Sequence, residues 1–171
     1  LVDKILYGYG SPGNDNMLAP SLKYAIQPEP IYNYDPEKAK AILKEAGIEN
    51  LKVDFSCPPN AAYAGALDAA LLMQESAKAA GIDINVIREP DDGYWSNVWL
   101  KKPWSMCYWG GRPTVDTMLS ISLAADAPWN DTHFKNARFN ELLVQARSEL
   151  DETKRAAMYA ELGIFFGTRI E

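Results

Sequence analysis

Tyr32-Asn-Tyr-Asp-Pro-Glu-Lys-Ala-Lys-Ala-Ile-Leu-Lys-Glu-Ala-Gly47 is the stretch from which the fold can be read outward. It carries both ends of one helix. Asp35 offers a carboxylate to the free N–H groups of a first turn, and Pro36 suits the first helical position, where a missing N–H costs nothing. Ala39, Ile42, Leu43 and Ala46 recur at helical spacing as an apolar stripe, and Gly47 supplies a left-handed stop. On physical grounds alone this is a well-capped surface helix.

The chain around it has 171 residues, room for one domain able to bury about 70% of its unfolded surface. It is 47% hydrophobic and 23% charged, an ordinary globular composition. A net charge of −6 disfavours nucleic acid or an anionic membrane as the main partner. No run of about 18 apolar residues is present to span a bilayer. Both ends read as cut. Leu1-Val-Asp-Lys-Ile-Leu6 resembles the end of a helix already in progress, and Ile164 to Glu171 stops in apolar sequence.

Residues 1–34 are rich in Gly, Pro, Asn and Ser and form a turn-rich connector, after the end of a preceding helix. Residues 35–171 form the remaining domain. Leu51–Cys57 alternates apolar and polar residues, which predicts a strand, and Pro58-Pro59 ends it. Residues 62–80 predict a long Ala-rich helix with Leu67, Ala70, Leu71, Gln74 and Ala77 on one face. Ile82–Ile87 is a second strand, a helix runs from Gly93 to about Lys101, and Ser105–Trp109 is a third strand. A long loop over 110–135 has weak helical promise at Asp116–Leu123. Helices then follow at about 136–149, with Phe139, Leu142, Leu143 and Ala146 inward, and at about 152–166, capped by Asp151. Strands alternating with helices of this length predict an α/β fold: a mixed, mainly parallel sheet with helices on both faces. Cys57 and Cys107 each follow an apolar run. They read as buried free thiols, with a disulfide left open.

As a string, the capped helix resembles a hallmark of the family 5 extracellular solute-binding proteins of ABC transporters, the group that binds oligopeptides, dipeptides, nickel complexes and related solutes. The resemblance continues along most of residues 1–163. Leu1–Gly8 is similar to the helix end before the family's connector. Gln74-Glu-Ser-Ala-Lys-Ala-Ala-Gly-Ile-Asp-Ile84 resembles its helix-to-strand turn, and Tyr94-Trp95 its aromatic pair opening a helix. Phe139-Asn-Glu-Leu-Leu143, Ala146-Arg147, Asp151, Arg155 and Tyr159 resemble the family's closing pattern. The resemblance implies a C-terminal lobe of a type II periplasmic-binding-protein fold, without a catalytic role. It implies an N-terminal lobe of the same full-length protein as partner and an ABC permease in the membrane. The location implied is the periplasmic or extracellular face of the cytoplasmic membrane.

Open α/β sheets take ligands beyond the C-terminal ends of their strands, which points to the loops after residues 57, 87 and 109. The best candidate segment is Tyr108-Trp-Gly-Gly-Arg-Pro-Thr-Val-Asp116. Trp109 offers an apolar wall, and Gly110 and Gly111 allow backbone to approach a ligand. Arg112 presents a planar fork for an anionic or acceptor-rich group, with Thr114 and Asp116 beyond it. By the resemblance, dipeptide-type members carry W-x-G-D here, the Asp taking the ligand's amino terminus, and this chain has Arg112 near that place. Trp129 and Asp131 add a second aromatic wall and polar anchor, or else pin their own loop, with Asn130 and Asp131 making turn bonds. Trp95, Trp99 and Trp104 read as core.

His133 is the only histidine, so a zinc site fails on ligand count and His133 reads as a surface residue. No G-x-S-x-G, P-loop or H-E-x-x-H is present, and no cofactor is implied. Two other functions remain open: a small flavodoxin-like hydrolase using Cys57 or Cys107, and the ligand-binding lobe of a sensory receptor.

Overall fold

Two parallel strands, β1 (Lys52–Cys57) and β2 (Asp83–Arg88), pair in continuous register from Lys52 opposite Asp83 to Cys57 opposite Arg88. The computed structural model describes residues 1–13, 16–27, 29 and 31–167. Asn14, Asp15, Pro28 and Pro30 of the expected connector lie outside the described residues, as do positions 168–171. The other elements are α1 (Pro36–Glu45), α2 (Ala66–Lys78), α3 (Tyr94–Asn97), α4 (Val115–Ser122), α5 (Ala137–Ser148) and α6 (Glu152–Gly167). They divide between two compact units: Leu1–Pro12 with Asn33–Tyr108, and Gly13–Tyr32 with Trp109–Glu171.

In the first unit, α2 makes the crossover between β1 and β2. Its inward face is Ala66, Ala69 and Ala70, continued by half-buried Met73 and Ala77, at helical spacing. These pack on Phe55, Cys57 and Ile84. The expected face was set one position further round, and Leu71 instead points to solvent. Small side chains let the helix close on the sheet, and Leu67 flanks the contact. Gln74 Nε2 donates to the Ile84 carbonyl at 2.5 Å, tying the helix to β2.

The third expected strand shrinks to one parallel bridge, Ser56 with Ser105. Ser56 N–H donates to the Trp104 carbonyl at 3.1 Å, and Met106 N–H donates to the Ser56 carbonyl at 2.9 Å. The next donor along β1 would be residue 58, and Pro58 has none. The Met106 carbonyl, which that donor would have served, accepts the Tyr94 hydroxyl at 2.6 Å. Burial pushes the Tyr94 phenol far above its ordinary range, so it stays a donor.

The helix expected from Gly93 to Lys101 is only the four residues of α3, followed by turns. Leu100 takes a left-handed backbone (φ 62°), and Pro103 disfavours helix at Lys102. In so short a helix only Tyr94 and Val98 reach the interior. Trp95 and Trp104, read as core from sequence, are therefore 38% and 40% exposed, and Trp99 is half-buried. Trp104 covers Phe55 by stacking at 4.1 Å.

The second unit is built on α5, whose Phe139, Leu142, Leu143 and Ala146 are all buried, as the spacing predicts. Val115, Met118 and Leu119 of α4, Leu162 of α6 and Leu18 complete the core. Asp151 Oδ1 accepts from Thr153 N–H and Lys154 N–H at 2.9 and 3.1 Å and so caps α6 as expected. The closing pattern of the sequence acquires a structural meaning here. Tyr159 stacks on Tyr24 with centroids 5.3 Å apart, and Arg155 Nε donates to the Tyr24 hydroxyl at 3.0 Å. Glu152 accepts from Lys23, Tyr24 and Arg155, which together hold its carboxyl down to about 2. Residues 23 and 24 are thereby clasped to α6.

Candidate functional site

The expected site segment lies in the second unit, between residue 109 and the first turn of α4. Trp109 is half-buried and packs against that unit's core. Its indole Nε1 donates to Asp131 Oδ2 at 3.3 Å. Trp129 lies beside it, with centroids 6.1 Å apart and planes tilted by 58°, and remains 41% exposed. Arg112 covers the Trp129 ring, its Cζ 5.9 Å from the centroid, within cation–π range. Arg112 Nη1 also donates to the Gly110 carbonyl at 3.1 Å. Trp109, Gly110, Arg112, Trp129 and Asp131, which come from two stretches some twenty residues apart, thus form one cluster.

Gly110 and Gly111 are exposed, and neither has a left-handed backbone. A side-chain carbon on Gly111 would meet nothing, so the space above this turn is open. Thr114 and Asp116 make their bonds to α4 and α5. Thr114 Oγ1 accepts from Thr117 N–H at 3.1 Å as the helix cap. Asp116 pairs with Arg147 Nε of α5 at 2.8 Å, and Arg147 also donates to the Ser120 hydroxyl.

Asn130 is the residue whose work needed the structure to be seen. It is only 7% exposed, and its amide donates to the Ala124 and Phe134 carbonyls at 3.3 and 2.7 Å. Its Oδ1 accepts from Phe134 N–H and the Thr132 hydroxyl at 3.1 and 3.0 Å. One side chain thus ties both ends of the loop, leaving Trp129 and Asp131 on either side of a fixed point. The flanking polar residues Asn130, Asp131 and Thr132 were a turn signal in the sequence. The partners at 124 and 134 were not visible there.

His133 is exposed, and no cluster of three metal-ligating side chains occurs among the described residues. Both cysteines are free thiols. Cys57 is fully buried, and burial pushes its thiol up to about 11, away from the reactive thiolate. Cys107 is half-buried. No helix of the described residues is long and apolar enough to cross a membrane.

Residues 1–132 match the family model described as bacterial extracellular solute-binding proteins, family 5 Middle. Over 150 residues the chain is 31% identical to di/tripeptide-binding protein 4 of Pseudomonas aeruginosa (strain UCBPP-PA14), covering 78% of this chain and 26% of that protein. Di/tripeptide-binding protein 2 of the same strain is 30% identical over 138 residues, covering 75% and 25%. Among solved structures, NikA from Staphylococcus aureus in complex with Ni(L-His)2 aligns with a TM-score of 0.79 at 20% identity, over 96% of this chain and 36% of that one. The periplasmic binding protein DppA from Helicobacter pylori, in complex with the peptide STSA, aligns with a TM-score of 0.78 at 21% identity, over 97% and 33%. These structural likenesses are likenesses of fold. The chain spans about a quarter of the length of the curated relatives it matches.

Proposed function

This chain belongs to family 5 of the bacterial extracellular solute-binding proteins, and on that premise we propose that it forms one lobe of the receptor of an ABC importer. The fold is that of the type II periplasmic binding proteins. In this reading the receptor captures a peptide-like or other small polar solute between this lobe and the N-terminal lobe of the same full-length protein. It works at the periplasmic or extracellular face of the cytoplasmic membrane and delivers the solute to a membrane permease. Binding favours the closed arrangement because only there do both lobes contribute contacts, so closure follows from differential affinity.

The observation that carries the reading is the cluster on Trp109 and Trp129. Two large aromatic faces are held at a fixed tilt by the Asp131 bond and the Asn130 staple, beside an open glycine turn. Solute sites of this kind combine apolar walls with a few placed polar groups, and rigid aromatics lose little freedom on binding. The competing hydrolase reading needs an activated nucleophile, and Cys57 is buried with its proton held.

Native mass spectrometry of the purified full-length protein tests the proposal directly: a small-molecule adduct that is released on denaturation is expected. Trp109→Ala and Trp129→Ala should each weaken rebinding of the released compound by at least about fivefold, from a loss of about 1 kcal/mol or more per aromatic contact. Unchanged affinity in both variants would move the site elsewhere.

A further inference from the structure

We propose that Arg112 is a carboxylate fork, so that the receptor selects solutes carrying a free carboxylate and seats that group on the guanidinium above Trp129. This rests on the solute-binding reading of the Trp109–Trp129 cluster and names the chemistry that the cluster takes.

The four arginines of the second unit whose side chains are described are not used alike. Arg138 pairs with Glu141 and Glu161, Arg147 with Asp116, and Arg155 with Glu152. Arg112 has no carboxylate partner among the described residues. It is half-buried, spends one N–H on the Gly110 carbonyl, and lies on the Trp129 ring. A guanidinium has five N–H donors and no acceptor. The remaining donors can serve an anion or a carbonyl, and they cannot receive an ammonium.

Position sharpens the choice. The tether at Gly110 and the ring of Trp129 restrict the guanidinium plane, so its fork is partly organised before a solute arrives. Partial burial and an aromatic floor weaken competition from water, which strengthens a charge-assisted bond. In a chain of net charge −6, this cation is left without an acid and faces an open glycine turn. A planar carboxylate accepting two parallel N–H bonds matches it better than a neutral carbonyl accepting one.

The test uses the full-length protein and a panel of di- and tripeptides of glycine, alanine and leucine, each as the free acid and as the C-terminal amide. In these peptides the only carboxylate is the terminal one. Free acids are expected to bind at least about tenfold more tightly than their amides by calorimetry, the scale set by a charge-assisted bidentate pair. In Arg112→Gln that preference should disappear while the unliganded Tm is unchanged. Arg112→Lys, which keeps the charge without the fork, should retain only part of it. Amides equal to acids in the parent protein, or a preference that survives Arg112→Gln, would overturn the fork and leave the solute-binding reading intact. No binding by any member in either form would overturn the peptide-like reading itself, and the fork with it.

Discussion

Helices α1 and α5 begin alike. In α1, Asp35 Oδ1 accepts from Lys38 N–H at 2.9 Å; in α5, Asn136 Oδ1 accepts from Phe139 N–H at 3.0 Å. Each carries an apolar stripe at helical spacing and a basic residue in its last turn, Lys44 and Arg147. Their fates differ. The stripe of α5 is wholly buried against α4, α6 and Leu18, whereas α1 buries no residue at all. The difference separates two things that a sequence pattern mixes. Capping and periodicity decide where a helix forms, because they act within one or two turns. Burial is decided by what other segments bring to the stripe, and that information lies elsewhere in the chain.

The largest loss is expected at Phe139, which is fully buried and meets the rings of Phe134 and Phe165 edge-on at 5.3 and 5.6 Å. Phe139→Ala should cost about 3–5 kcal/mol, the usual range for emptying such a site. Urea unfolding monitored by far-ultraviolet dichroism reads this as a lower midpoint at unchanged slope. A loss below about 1 kcal/mol would mean that the α5 stripe does not anchor its unit.

The same division explains what could be read in advance. Asp35, Pro36 and Gly47 mark α1 through bonds within one turn, and the structure shows each in place: Gly47 has φ 69°, and Ile48 N–H reaches back to the Leu43 carbonyl at 2.9 Å. Phe139, Leu142, Leu143 and Ala146 were legible because a helix period predicts a face whatever covers it. The apolar run at 105–109 suits a strand, yet only the bridge at Ser105 forms. Its partner lacks the necessary N–H at Pro58, and no property of residues 105–109 reveals that. Tryptophan's size suggests burial, but α3 turns only Tyr94 inward, with Val98 following at its C-cap, which leaves Trp95 outside; Trp104 covers Phe55 with one face and stays partly exposed. At the candidate site, the residue types at 109, 112 and 129 could be picked out singly. That Arg112 lies over Trp129, and that Asp116 pairs with Arg147, depends on contacts across about fifteen to thirty residues, whereas the Thr114 cap on Thr117 is local.

The helix caps act on a smaller energy scale. Asp35→Ala and Asn136→Ala each remove one side-chain acceptor from a first-turn N–H, and each should cost about 1 kcal/mol. The two losses should be similar despite the unequal burial of the helices, since the lost bond is local in both. Amide hydrogen exchange should show the effect confined to the first turn, at Lys38 in one variant and Phe139 in the other. A cap loss several times larger in α5 would show that capping and packing are coupled there.

The smallest expected effect is at Ile42, an apolar residue of the α1 stripe. It is 38% exposed in this chain. Ile42→Ala removes three carbons that are only partly shielded, so the transfer loss is a fraction of the 2–5 kcal/mol seen at buried isoleucines. Alanine is also the better helix former, by roughly half a kcal/mol, because it loses no side-chain freedom against the preceding turn. The two terms oppose each other. The net change in the unfolding free energy of this chain should therefore stay within about 0.5 kcal/mol, the range typical of surface substitutions. A loss of about 2 kcal/mol or more would show that Ile42 is packed like a buried isoleucine, and the contrast between the two helices would then fail.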